Sequence, residues 1–264
     1  VRRCWKASPL EGIALISPPT KFVAGNWKMN GLATALREAT AVSDALKAAP
    51  ARSRVALFPP APLIWRMAQA LGDGPVQIGA QDSHREDCGP YTGDVSAEML
   101  HDAGARLVIL GHSERRTIHR ESDQLIAGKV LGALRAGLEP IICVGEQREH
   151  RRMGHAHQVV CDQLQGSLPQ ALAGRPFSIA YEPIWAIGSG ETPSSADIED
   201  THATIRESLT ALFGGGATTP ILYGGSVKPD NAADILGTAG VDGVLVGGAS
   251  LMADTFLPII RAAG

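Results

Sequence analysis

The sequence predicts an α/β protein built as a (β/α)8 barrel, a closed parallel eight-stranded sheet with outer helices. From Lys21 onward, short apolar runs rich in branched residues alternate with longer stretches of helical periodicity. The runs are continuously apolar, as in parallel strands covered on both faces. Eight such units fill the ~250 residues that a barrel of this kind takes.

The strand candidates are Phe22–Ala24, Val55–Phe58, Val76–Ala80, Leu107–Leu110, Pro140–Val144, Ser178–Tyr181, Ile221–Tyr223 and Gly243–Val246. Between them lie helical stripes. Leu32, Leu36, Ala39, Val42, Ala45 and Leu46 form one. Leu125, Val130, Leu131 and Leu134 form a second, ended by Gly137. Ile198, Ile205, Leu209 and Leu212 form a third, ended by the Gly214–Gly216 run. No composition break divides residues 21–264, so they read as one domain. Residues 1–20 read as a flexible or loosely docked extension. Their apolar patch, Ile13 to Ile16, is shorter than the roughly 7–15 residues of a secretory core. The alternative fold is an open doubly wound sheet, which usually carries a glycine fingerprint after its first strand. Gly25-Asn26-Trp27-Lys28-Met29-Asn30 is not that fingerprint, and Gly128-Lys129-Val130 is not a P-loop.

Composition narrows the function classes. Of 264 residues, 44% are hydrophobic and 19% charged, an ordinary globular balance. The formal net charge of −3 offers no broad basic field for nucleic acid. Apolar runs such as Leu107 to Leu110 are too short to span a membrane. Cys4, Cys88, Cys143 and Cys161 form no CxxC pair and no zinc spacing, so reduced thiols in a cytoplasmic protein are expected.

A barrel of this kind places its chemistry at the C-terminal strand ends. After the first strand come Asn26 and Lys28. The 24 basic residues include only six lysines, and an ammonium here suits a phosphate or an oxyanion. A solvated loop lysine is the other reading. After the fourth strand, Gly111-His112-Ser113-Glu114-Arg115-Arg116 fails as a nucleophile elbow, because Arg115 replaces the final glycine. His112 opens a helical turn, whose N-terminus would keep the imidazole neutral and able to donate; a packed, satisfied histidine is the alternative. After the sixth strand, Glu182 lies among apolar residues that would raise its pKa and suit a general base, unless it is an ordinary ion-paired loop residue. Pro183 and Gly188 to Gly190 bracket a segment read as a lid. Gly224-Gly225-Ser226 and Gly247-Gly248 end the last two strands, where backbone N–H groups can cradle a phosphate. His150, His155 and His157 occupy an Arg-rich stretch read as a solvated face. His84, Glu86 and Asp87 read as a polar protruding loop, and no metal site is expected in either.

These segments together resemble the triosephosphate isomerase family. Ala24-Gly25-Asn26-Trp27-Lys28-Met29-Asn30, Gly111 to Arg116, Ala180-Tyr181-Glu182-Pro183-Ile184-Trp185-Ala186-Ile187-Gly188, Tyr223-Gly224-Gly225-Ser226-Val227 and Val246-Gly247-Gly248-Ala249-Ser250-Leu251 carry the likeness, in order. The resemblance implies the TIM barrel and the exchange of dihydroxyacetone phosphate with D-glyceraldehyde 3-phosphate through an enediolate, in glycolysis and gluconeogenesis. It implies Glu182 as base, His112 as neutral electrophile, and Lys28 and Asn26 as the electrostatic site. Gly188, Ser226, Gly247 and Gly248 would hold the phosphate, and Glu114 would support Lys28 and His112. No metal or organic cofactor is implied, and no nucleic-acid or membrane partner. The segment from Gln81 to Tyr91 would plug into a second copy, so a homodimer is expected. The lid departs from the family in reading Gly190-Glu191-Thr192-Pro193 where many members have Gly-Lys-Thr-Ala. The competing readings are an isomerase of a four-carbon sugar phosphate and a non-catalytic phosphate-binding barrel.

Overall fold

A computed structural model describes residues 21–187, 193–214 and 218–264. The extension read over residues 1–20 lies outside the described residues, as do Gly188 to Thr192 of the lid and Gly215 and Gly216 of the glycine run.

The strands are β1 (Phe22–Asn26), β2 (Arg54–Phe58), β3 (Val76–Ala80), β4 (Leu107–Leu110), β5 (Glu139–Val144), β6 (Ser178–Tyr181), β7 (Ile221–Tyr223) and β8 (Gly243–Val246). They pair in parallel in chain order, and β8 returns to β1 to close the barrel. Phe22 stands opposite both Arg54 and Gly243, which fixes the register at closure. The helices are α1 (Leu36–Ala48), α2 (Ala61–Leu71), α3 (Ala97–Asp102), α4 (Ser113–Ile118), α5 (Asp123–Arg135), α6 (Arg148–Arg152), α7 (Ala156–Ser167), α8 (Ser195–Phe213), α9 (Ala232–Gly237) and α10 (Ala253–Ala262).

Continuous apolar strands make sense in this arrangement because each strand has two buried faces. One set of residues, including Ala24, Phe58, Leu107, Ile109, Ile141, Ala180 and Leu245, fills the barrel interior. The alternate set, including Val23, Leu57, Leu110, Ile142 and Ile179, packs under the helices. Interior filling depends on size matching: a Cβ at Gly79 of β3 would overlap the Phe58 ring of β2. At the opposite end from the site, the Arg54 guanidinium lies over the Phe22 ring at 4.6 Å and is gripped by both oxygens of Glu139, at 2.6 and 2.8 Å.

Two helical stripes need correction. Leu32 is 79% exposed, because its segment forms a single 3-10 turn at Ala33–Ala35 before α1 begins. Leu131 is 46% exposed; the inward face of α5 is Ile126, Lys129, Val130 and Ala133. The Lys129 ammonium is buried there because Asp82 and Glu121 accept from it at 2.6 to 2.9 Å.

Candidate active site

His112 is positioned by a sharp exit from β4. Gly111 has φ +68°, and a Cβ there would approach Ile126 Cδ1 to 2.7 Å. His112 then caps α4 and is 7% exposed. Its Nδ1 accepts the Glu114 backbone N–H at 3.2 Å. With Nδ1 accepting, the hydrogen-bond pattern fits a neutral ring that carries its proton on Nε2. That Nε2 lies 2.9 Å from Glu182 Oε1. The expected electrostatics need correction. Burial lowers the imidazole pKa, but the charge of Glu182, the hydrogen bond to it and the charge of Glu114 raise it overall. The Glu114 N–H favours the neutral ring, against a pKa that the neighbouring carboxylates raise.

Glu182 follows β6 and is 1% exposed. Glycines on both neighbouring strand ends admit it. A Cβ at Gly145 would overlap its carbonyl oxygen, and one at Gly224 would meet its Cγ at 3.0 Å. Its Oε2 accepts the Ser113 N–H at 2.9 Å and its Oε1 the Ser113 hydroxyl at 3.1 Å. The expected rise in pKa is therefore reversed. Burial pushes it up, but His112 and the two Ser113 donors outweigh burial and hold it below the ordinary glutamate value. In this arrangement the Glu182 carboxyl favours its ionised form and binds a proton less readily than an ordinary glutamate.

Asn26 and Lys28 lie across the mouth. The Asn26 side-chain oxygen accepts the Lys28 N–H at 3.0 Å and supports Lys28 at φ +52°, a backbone region that non-glycine residues seldom occupy. Lys28 Nζ reaches Glu114 Oε1 at 2.5 Å, and Glu114 Oε2 lies 3.7 Å from His112 Nδ1. Gln81, just past β3, donates to the carbonyls of Lys28 (2.9 Å) and Phe58 (2.8 Å). From the sequence, Gln81, Ser113 and Gly145 have no place in the site: Ser113 is rejected as a nucleophile and Gln81 falls in the partner-facing segment. For Gln81 and Gly145 the available signal was their place immediately after a buried strand.

Asn26, Lys28, His112, Glu182, Ser226, Gly247 and Gly248 line one cavity of about 340 Å³, with Ile187 at its edge. Gly247 sits against the Lys28 stem, and a Cβ there would lie 3.5 Å from Lys28 Cε. Gly225 must be glycine because a Cβ would overlap the Tyr223 hydroxyl. Gly188 lies outside the described residues.

The Arg-rich stretch is not simply solvated. Arg148 and Arg151 lie 5.6 and 5.4 Å from the Trp185 ring centre. Arg148 also donates to the Trp185 carbonyl. Buried Glu146 accepts from Trp185 Nε1 at 2.8 Å, Tyr181 at 3.2 Å and Arg151 at 3.4 Å. This cluster braces the chain immediately after Glu182. His157 pairs with Asp200 at 2.8 Å, while His84 stacks on Tyr91 with centroids 4.1 Å apart.

The arrangement combines a carboxylate, an imidazole, an ammonium and glycine-rich strand ends around one small cavity. Comparisons with known proteins agree on its kind. The family model described as Triosephosphate isomerase matches residues 21–263. A protein of Caulobacter vibrioides named Triosephosphate isomerase is 55% identical over 245 residues, covering 92% of this chain and 97% of its own. One of Afipia carboxidovorans with the same name is 51% identical over 242 residues, covering 91% and 96%. The crystal structure of triosephosphate isomerase from Bartonella henselae superposes with a TM-score of 0.86 at 45% identity, covering 92% of this chain and 98% of that one.

Proposed function

The chain belongs to the triosephosphate isomerase family, and we propose from that premise how its own residues perform the reaction. The enzyme interconverts dihydroxyacetone phosphate and D-glyceraldehyde 3-phosphate. In our reading Glu182 removes a proton from the carbon next to the substrate carbonyl. The electron pair moves onto the carbonyl oxygen, giving an enediolate, and the proton returns to the neighbouring carbon. Lys28 supplies positive charge to the oxyanion and His112 donates from Nε2. One preorganised donor of that kind is worth roughly 3–4 kcal/mol. Asn26 holds Lys28 in place, Glu114 orients Lys28 and His112, and Gly188, Ser226, Gly247 and Gly248 cradle the phosphate.

The observation that carries this reading is the 2.9 Å approach of His112 Nε2 to a buried Glu182 at the mouth of the cavity. It also sets an order of events. While Ser113 and His112 donate to Glu182, its basicity is suppressed. Substrate that draws the carboxylate away from Ser113 removes two stabilising donors and strengthens the base where it is needed. His112 simultaneously loses its carboxylate neighbour, which favours its neutral form. The test is isomerisation of dihydroxyacetone phosphate by the wild type and Glu182→Gln side by side. Wild-type turnover should fall by at least 10²-fold in the variant, while binding of inorganic phosphate persists. Undiminished turnover in Glu182→Gln would refute the assignment, and a four-carbon substrate in competition tests the related-sugar alternative.

The protein acts as a homodimer in the same reading. A second cavity, of about 640 Å³, opens beside the site between Met29, Gln81, His84, Arg115 and Lys129. Met29 at its edge is 94% exposed and Leu32, three residues on, is 79% exposed, an apolar edge suited to cover by a second copy. A cytoplasmic location fits the free thiols of Cys88, Cys143 and Cys161. No helix among the described residues is long and apolar enough to cross a membrane.

A further inference from the structure

Backbone pairing between β4 and β5 runs from Leu107↔Glu139 to Leu110↔Ile142. The next rung would join Gly111 to Cys143, but Gly111 turns out of the sheet at φ +68°. One side chain takes over at that level. Arg116 Nε donates to the Gly111 carbonyl at 2.9 Å, and its Nη2 donates to the Cys143 carbonyl at 3.1 Å. The far side of the same guanidinium is anchored. Nη1 meets Asp123 Oδ1 at 2.5 Å and Nη2 meets the Ser167 hydroxyl at 3.1 Å, while that hydroxyl donates to Asp123 at 2.9 Å. Two glycines make room for this cradle. A Cβ at Gly111 would lie 3.3 Å from Arg116 Nη2, and one at Gly166 would lie 2.7 Å from Asp123 Cβ.

The two carbonyls so joined lie at the end of β4, which leads into His112, and in β5, which pairs with β6 just ahead of Glu182. Gly111 shares its peptide bond with His112. Cys143 lies in the barrel interior, where burial first and the nearby Glu182 charge second push its thiol pKa up. We infer that Arg116 is a positioning residue that sets the His112 imidazole against Glu182 and the substrate oxygen by bridging the Gly111 and Cys143 carbonyls. It touches no reacting atom. Only a planar fork can span two carbonyls and a carboxylate at once; a lysine ammonium is a single point. The inference rests on the reading of His112 as the oxyanion donor.

The test is a double-mutant cycle in the full-length enzyme, comparing wild type, His112→Gln, Arg116→Gln and the double variant, with Arg116→Lys alongside. Arg116→Gln is expected to lower kcat 10- to 100-fold with KM changed less than twofold. Arg116→Lys should recover only part of that loss. The double variant should be no slower than His112→Gln alone, because both changes disable one donor. Affinity for 2-phosphoglycolate, which mimics the enediolate, should fall more than affinity for inorganic phosphate. Wild-type kcat in Arg116→Gln, or losses that multiply in the double variant, would overturn the inference. Wild-type kcat in His112→Gln would overturn the underlying reading instead. If Arg116→Gln does not fold, Arg116→Lys and Ser167→Ala carry the same cycle, and multiplying losses in either would overturn the role.

Discussion

Glu182 and His202 show how burial alone does not decide a pKa. Both are sealed from solvent, but Glu182 has three donors on its carboxylate. Ser113→Ala removes one of them, so the Glu182 pKa should rise. If Glu182 is the base proposed above it must be ionised, so the acid limb of the kcat/KM profile should move to higher pH, by up to about one unit for one hydrogen bond of ordinary strength. An unmoved limb would show that the hydroxyl is irrelevant. His202 on α8 contacts the Tyr181 ring edge-on and uses Nδ1 on the Gly240 carbonyl. Burial depresses its pKa from 6.5 to about 4. A depressed pKa stabilises the fold above the unfolded value and is lost as pH falls. His202 should therefore contribute fully above pH 6.5 and progressively less down to about pH 4, a difference of roughly 3 kcal/mol at most. Urea unfolding of wild type and His202→Gln across that window should give a shallower pH dependence for the variant.

At the level of strands and helices, two glycines should separate activity from stability. Gly145→Ala puts a methyl group into the Glu182 carbonyl at the site end of β5. Displacing a base by about 1 Å costs on the order of 10²-fold in rate. Gly79→Ala instead presses on Phe58 inside the barrel and should cost about 1–3 kcal/mol of stability, read from denaturant midpoints, with less effect on kcat. The strands were legible because most positions on both faces are buried, so Leu107–Leu110 and Ile221–Tyr223 stand out without alternation. Leu131 misled because a stripe read by spacing assumes that the largest apolar residue faces inward. Here the inward position of α5 went to Lys129, whose partners Asp82 and Glu121 are contributed by other segments. The lining of the candidate site was legible for the same reason as the strands: Asn26, His112 and Glu182, which share one cavity, are polar residues where a buried run ends. The lowered pKa of Glu182 was not, since Ser113 reaches it from 69 residues away in sequence. The support given by Gln81 to Lys28 is equally non-local, across 53 residues.

For the molecule as a whole, the ring of strands leaves no open sheet edge among the described residues, so association through them must use loops and side chains rather than strand addition. Sedimentation at micromolar concentration should give twice the chain mass. Met29→Asp, which places a charge on the exposed edge of the second cavity, should shift the equilibrium toward single chains; a wild type that sediments as one chain would refute the dimer. The described cysteines make this measurable by a separate chemistry. Cys88 is exposed in the segment after β3, Cys161 is half-buried on α7 beside Ser208, and Cys143 is sealed within the barrel. A thiol alkylating reagent followed by peptide mass spectrometry therefore meets three graded clocks in one chain. Cys88 modification should slow when copies pair, Cys161 should report loosening of the helical layer, and Cys143 should wait for the barrel itself to open.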